Sequence, residues 1–160
     1  MPMTESNRVL SMWGRLSGWP GGKWLFSKII CWTAPYFGSI RPRFQVLAPG
    51  HSAVTMNKRR AVTNHIGTVH AIAMCNLAEI AAGTMTEASV PQSQRWIPKG
   101  MTVEYLLKAE TDLTAVARIE PIPAFTGSFS LPVEVDVVDK NQKMVFRAVI
   151  DMWISPRKQS

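Results

Sequence analysis

The amino-acid sequence predicts an α+β fold, an antiparallel sheet of about six strands wrapped around one long central helix at about residues 68–84. Three observations carry this. The stretch from Thr68 to Gly83, "TVHAIAMCNLAEIAAG", has helical length, is rich in alanine, and is apolar nearly all round, as a helix buried against a sheet must be. Strand-like alternation stands on both sides of it, most strictly in "VEVDVV" (Val133 to Val138) and again in "MVFRAVIDMWI". Turn chemistry separates the alternating runs, with Pro49-Gly50 before the helix and "DKNQK" (Asp139 to Lys143) after it. One helix among so many strands cannot cover a parallel sheet, so the sheet is expected to curl around the helix.

In chain order, residues 5–17 and 23–35 read as two short helices. Val9, Met12, Trp13 and Leu16 recur at helical spacing, as do Phe26, Ile29, Ile30 and Thr33. "SGWPGG" (Ser17 to Gly22) stops the first and turns into the second. "IRPRFQVLAP" and "HSAVTMNKRR" then alternate as a hairpin. After the central helix, strands are expected at about 93–108, 113–121, 127–139 and 143–154. The organisation expected is an N-terminal helical extension over 1–36 and one sheet-and-helix domain over 37–156.

The chain has 160 residues, 46% of them hydrophobic and 18% charged, which suits one globular domain with a real core. The apolar run "WLFSKIICW" is too short to span a bilayer and is broken by Ser27 and Lys28. No secretory signal is legible, so a cytoplasmic location is expected. Cys31 and Cys75 sit in apolar surroundings without metal-ligand spacing, and no metal is expected. The formal net charge of +7 is concentrated early: residues 1–60 hold nine Lys/Arg and one acid, residues 61–160 nine Lys/Arg and ten acids. The basic segment suits a phosphate-bearing ligand such as coenzyme A, an acyl carrier protein or an anionic lipid, or is a solvated surface. No nucleic-acid-binding motif accompanies it. Trp13, Trp19, Trp24 and Trp32 all fall in the N-terminal helices. That aromatic surface has to pack on the domain, on a partner, or peripherally on a membrane, and packing on the domain is the simpler expectation.

The central helix carries one carboxylate in its middle. At about 100° per residue, Glu79 shares a face with Ile72, Cys75, Asn76 and Gly83. A carboxylate there is shielded from water on part of its surface, a setting that suits a general base; the alternative is an ion pair with a strand cation such as Arg95. Thr68 is expected to cap the helix, with Gly67 letting the backbone turn in. The amides around His70, Ala71 and Ile72 would then lack intrahelical acceptors, making a place for a polarised carbonyl or oxyanion. Ala71 and Glu79 are eight residues, about 12 Å, apart along a helix. One reacting carbonyl cannot reach both in one chain, so a shared site predicts a two-fold dimer with antiparallel helices. His70 can equally cap or pack, and Asn64 can serve as an ordinary turn residue or hold a water near the site.

The stretch "NHIGTVHAIAMCNLAEIAAG" resembles the hotdog-fold thioesterases, particularly the phenylacetic-acid-degradation type, in an uncharacterised branch with an N-terminal helical extension. Their pattern is roughly N-x-x-G-T-V-H-G-G-A-x-x-x-L-A-D/E-x-A-x-G. Asn64, Gly67, Thr68, Val69, His70, Ala73, Leu77, Ala78, Glu79, Ala81 and Gly83 match it in register. The resemblance implies a thioesterase acting on an acyl-CoA or acyl-carrier thioester. Glu79 takes the place of the acid that activates water or attacks the carbonyl. Ala71 supplies the polarising amide, Asn64 orients the water, and His70 stands for the motif's histidine. Ile72, Asn76 and Gly67 would line the substrate site, and Lys58, Arg59 and Arg60 would hold coenzyme A phosphates, or are simply a charged strand end. Coenzyme A enters as part of the substrate, with no separate cofactor. The usual assembly implied is a homodimer, often a dimer of dimers. The sequence departs from the pattern where Ala71-Ile72 replaces Gly-Gly. The alternative is a non-catalytic module of the same fold that binds acyl chains, an acyl carrier or a membrane surface.

Overall fold

The computed structural model describes residues 7–157; the first two positions of the expected 5–17 helix lie outside them. Six strands follow two helices: α1 (Arg8–Leu16), α2 (Gly22–Thr33), β1 (Arg43–Ala48), β2 (His51–Met56), α3 (Ala71–Ser89), β3 (Gln94–Tyr105), β4 (Leu113–Arg118), β5 (Phe129–Val138) and β6 (Met144–Pro156). They form one antiparallel sheet in the order β1-β2-β4-β5-β6-β3. Helix α3 lies in its concave face and touches every strand. This is the expected α+β hotdog arrangement.

Alternation explains the sheet. Val133, Val135 and Val137 of β5 and Phe146, Ala148, Ile150, Met152 and Ile154 of β6 are fully buried against α3. Between them, outward-facing Asp136 takes Arg147 Nε at 3.0 Å and also pairs with Arg118, so the polar face links three strands. Small residues let α3 approach closely: Ala78, Ala81 and Ala82 are fully buried. Ser52 Oγ donates to the Ala81 carbonyl at 2.8 Å, pinning helix to sheet and satisfying a buried hydroxyl.

The central helix begins later and ends later than the sequence suggested, at Ala71 and Ser89. His70 caps it instead of Thr68, its Nδ1 accepting from the Ile72 amide at 3.1 Å. The Thr68 hydroxyl is already taken, accepting from Asn64 Nδ2 at 2.8 Å. At the far end Thr86 and Ser89 donate back to the carbonyls of Ala82 and Met85, so the helix continues until Val90 caps it ahead of Pro91.

The N-terminal helices pack on this body. Asn7 caps α1 by accepting from the amides of Val9 and Leu10. Trp13 meets Phe26 edge-on at 5.0 Å, and Phe26 meets Phe44 at 5.2 Å. Ser27 Oγ donates to the Lys23 carbonyl and accepts from the Phe44 amide at 2.9 Å, tying α2 to β1. Of the four early tryptophans only Trp13 packs inward. Trp19, Trp24 and Trp32 are exposed, which corrects the simpler packing expectation.

Candidate active site

Two places on α3 matter: its N-terminus and the face around Glu79. The N-terminus is built by the loop before it. Asn64 Oδ1 accepts from the amides of Ile66 and Thr68, both at 3.1 Å, while Gly67 adopts φ +78° to close the turn. Thr63 and Val69 bridge the base of this loop, and Val69 donates to the Ala109 carbonyl at 2.8 Å. The amides divide unevenly. His70 donates to the Val62 carbonyl and Ile72 to the His70 ring, so neither is open, contrary to expectation. Among the described residues, the amides of Ala71 and Ala73 find no acceptor. His70 and Gly67 are exposed, and Ile72 is 56% exposed at the start of the helix.

Glu79 lies eight residues on. It lines an apolar cavity of about 400 Å³ whose walls come from α1 (Met12), α2 (Ile30), the 3-10 turn after it (Phe37), α3 (Gly83) and β3 (Trp96). A second carboxylate, Glu87, lines the same cavity. The two differ in their partners. Glu87 accepts from Trp96 Nε1 at 2.6 Å. Glu79, half-buried, joins no ion pair or side-chain hydrogen bond among the described residues, and Arg95 turns instead to Ser155 at 3.2 Å. Gly83 holds the narrow point, where a Cβ would sit 3.1 Å from Trp96 Cη2.

The remaining residues do not line the cavity. Asn76 is buried and donates to Ser39 Oγ at 3.2 Å, and Arg59 donates to the carbonyl of the same Ser39. Each leaves a buried atom unpartnered, Asn76 Oδ1 and Arg59 Nε. Lys58 is held through its amide by Asp112 Oδ1 at 2.7 Å, and Arg60 is exposed at the start of a short 3-10 turn. On β3, Tyr105 reaches Cys75 Sγ at 3.6 Å, and that bond, with some burial, raises the phenol above its ordinary range. Glu79 is thus the one expected site residue that lines the cavity; Ala71, His70, Gly67 and Ile72 stand at the helix start, and Lys58, Arg59 and Arg60 at the end of β2. The sequence reading missed Ser39, Glu87 and Trp96. The only advance sign was that Glu87 falls two turns after Glu79 on the same face.

Comparison with known proteins places this architecture. Residues 22–154, from the start of α2 to near the end of β6, match the model of a domain of unknown function, DUF4442. The chain belongs to the DUF4442 family. A structural-genomics protein, APC5556, is 50% identical over 94% of this chain and 98% of its own, with a TM-score of 0.80. A Pseudomonas aeruginosa protein described as a probable thioesterase is similar at 23% identity, over 77% of this chain and 88% of its own, with a TM-score of 0.71. A thioesterase family protein from Silicibacter pomeroyi is similar at 16% identity, over 82% and 96%, with a TM-score of 0.70. No curated protein matches. The likeness to these structures shows a shared hotdog fold, while the narrower likeness to the phenylacetic-acid-degradation type gives way to the DUF4442 match.

Proposed function

We propose that this DUF4442 protein hydrolyses an acyl-CoA or acyl-carrier thioester. The observation that carries the reading is Glu79: a carboxylate without a side-chain partner among the described residues, at the wall of an apolar cavity whose other carboxylate is engaged. The acyl chain enters the cavity with its thioester carbonyl near Glu79. Glu79 takes a proton from water, whose oxygen attacks the carbonyl carbon; the tetrahedral intermediate collapses, the C–S bond breaks, and the thiolate leaves with the proton held by Glu79. Direct attack by Glu79 would give an acyl-enzyme anhydride that water then opens.

The carbonyl oxygen needs a donor that one chain cannot bring, since α3 is continuous and its open Ala71 amide lies about 12 Å along the axis from Glu79. We infer a two-fold dimer. β3 is a sheet edge of 12 residues, with Ile97 and Tyr105 exposed along it. An edge of that length and character is a template for pairing with its own copy, and an antiparallel pair would set the two α3 helices side by side. Asn64 keeps the loop before Ala71 in place, and the cations Lys58, Arg59 and Arg60 past the end of β2 are the residues proposed to meet coenzyme A phosphates.

One observation favours the non-catalytic alternative: the Ile72 amide is spent on His70, which leaves fewer donors for an oxyanion. The test is a panel of acyl-CoAs from short to long and aryl, read by free-thiol release, with equilibrium binding measured beside it. Turnover supports the enzyme; saturable binding without turnover supports the binding module.

A further inference from the structure

The outward face of α2 is unlike the rest of the surface. Viewed down the helix, Lys28 lies about 40°, Trp32 about 80° and Leu25 about 100° from Trp24, so the four share one arc. The buried Phe26 lies about 160° from Trp24 on the opposite side, and the buried Ser27 about 60° from Trp24 on the flank away from this arc. Trp32 is 85% exposed, Trp24 54% and Trp19, in the preceding turn, 74%. Tyr36 extends the patch past the end of the helix. None of these side chains enters the cavity at Glu79.

Cations ring the patch. Lys28 Nζ sits 5.6 Å from the Trp24 ring centroid. Beside them a cleft of about 300 Å³ between α2 and the start of β1 is lined by Trp24, Lys28, Arg41 and Arg43 without any carboxylate. The charge pattern is one-sided over a long stretch: from residue 6 to residue 78 the sequence has nine Lys/Arg and no acid. The cations alone would suit any anionic surface, but three exposed indoles and Leu25 beside them add an apolar layer, and an anionic bilayer matches both. Indole rings favour the headgroup boundary, where one end is apolar and the other wet, and lysine and arginine beside them meet lipid phosphates.

We propose that the protein docks peripherally on anionic membranes through this face. Trp24, Trp32 and Leu25 enter the headgroup boundary, and Lys28, Arg41 and Arg43 hold phosphates in the neighbouring cleft. Helix α2 would lie in the plane of the surface; no helix among the described residues is long and apolar enough to cross a membrane. The inference is independent of the hydrolytic reading.

The test is cosedimentation of the full chain with vesicles of phosphatidylcholine alone and with about one third phosphatidylglycerol, over a salt series. Three chains are compared: wild type, Trp24→Ser/Trp32→Ser, and Lys28→Glu/Arg41→Glu. The expected result is binding to the anionic vesicles that weakens with salt, a loss of about twenty-five-fold or more in the cation variant at roughly fivefold per cation removed, and a loss of about tenfold in the tryptophan variant. In the wild type, tryptophan emission should also be quenched by phosphatidylglycerol carrying brominated acyl chains, a readout that needs no variant to fold. Equal binding to neutral vesicles, binding unchanged in both variants, absence of quenching, or retention by heparin without any vesicle binding would each overturn the proposal.

Discussion

Two carboxylates line one cavity, and exchanging each for its amide separates chemistry from structure. Glu79 has no side-chain partner among the described residues, so Glu79→Gln removes charge and basicity while disturbing no bond. Stability should move by less than about 0.5 kcal/mol. Activity should not survive: a positioned general base contributes about 10²–10⁴-fold. That is about 3–5 kcal/mol of barrier at 1.36 kcal/mol per decade. Glu87→Gln predicts the reverse. Its amide oxygen can still accept from Trp96 Nε1, but a charge-assisted bond becomes a neutral one, a loss of about 1 kcal/mol. Turnover should stay within about threefold, since Glu87 only holds the Trp96 wall. The assay is thiol release on the best acyl-CoA of the panel, with thermal unfolding of each variant. Equal losses in the two variants would refute the assignment, because cavity charge in general, and not Glu79 in particular, would then support the reaction. Retained turnover in Glu79→Gln would refute it outright.

Gly22→Ala should destabilise the chain by about 3 kcal/mol, because the new Cβ would fall 1.7 Å from the Leu16 carbonyl oxygen; the melting temperature should drop by about 6–12 °C, and an unchanged value would contradict the packing of α1 on α2. Asn64→Ala removes one acceptor used by two amides and one donor to Thr68, and should cost about 1–2 kcal/mol with faster hydrogen exchange confined to residues 64–70. Burial pushes the Cys31 thiol up, with nearby Lys28 opposing it in part. The folded chain therefore keeps this proton over a pH range in which the unfolded chain has lost it, and the related stability is present below the unfolded pKa and fades as pH rises through the folded one. Alkylation of Cys31, read by peptide mass, should accordingly be slower in the folded chain near pH 8 and approach the unfolded rate as pH rises; equal rates at pH 8 would refute the shift.

The fold was legible because its determinants are local. Alternation in β5 and β6 and the small-residue content of α3 are written in consecutive residues, and the sheet confirms both. The helix ends were less legible because they are decided by competition for hydrogen bonds. Thr68 reads as a cap until Asn64 takes its hydroxyl, and the end expected near residue 84 moves on to Ser89, where Thr86 and Ser89 bond back into the helix. The cavity was not legible at all. Met12, Ile30, Phe37, Gly83 and Trp96 come from five separate stretches, and no periodicity within one stretch reports on the others. For the same reason Glu79 could be singled out, but not told apart from Glu87 by its freedom from partners.

Helix α2 shows a sharper limit. Its sequence marks Phe26, Ile29, Ile30 and Thr33 at helical spacing, and the structure buries Phe26 and packs Ile30 on the core. Hydropathy fails beside that stripe: Ser27 also faces inward, where the Lys23 carbonyl and the Phe44 amide satisfy it, and Trp24 and Trp32 face out. A polar residue can be buried cheaply when both its hydrogen bonds are made. The exposed indoles have less compensation: Lys28 Nζ stands 5.6 Å from the Trp24 ring centroid, and Trp32 stays 85% exposed. The outward residues of α2 therefore point to a surface beyond the protein, and the vesicle experiment asks whether that surface is a membrane.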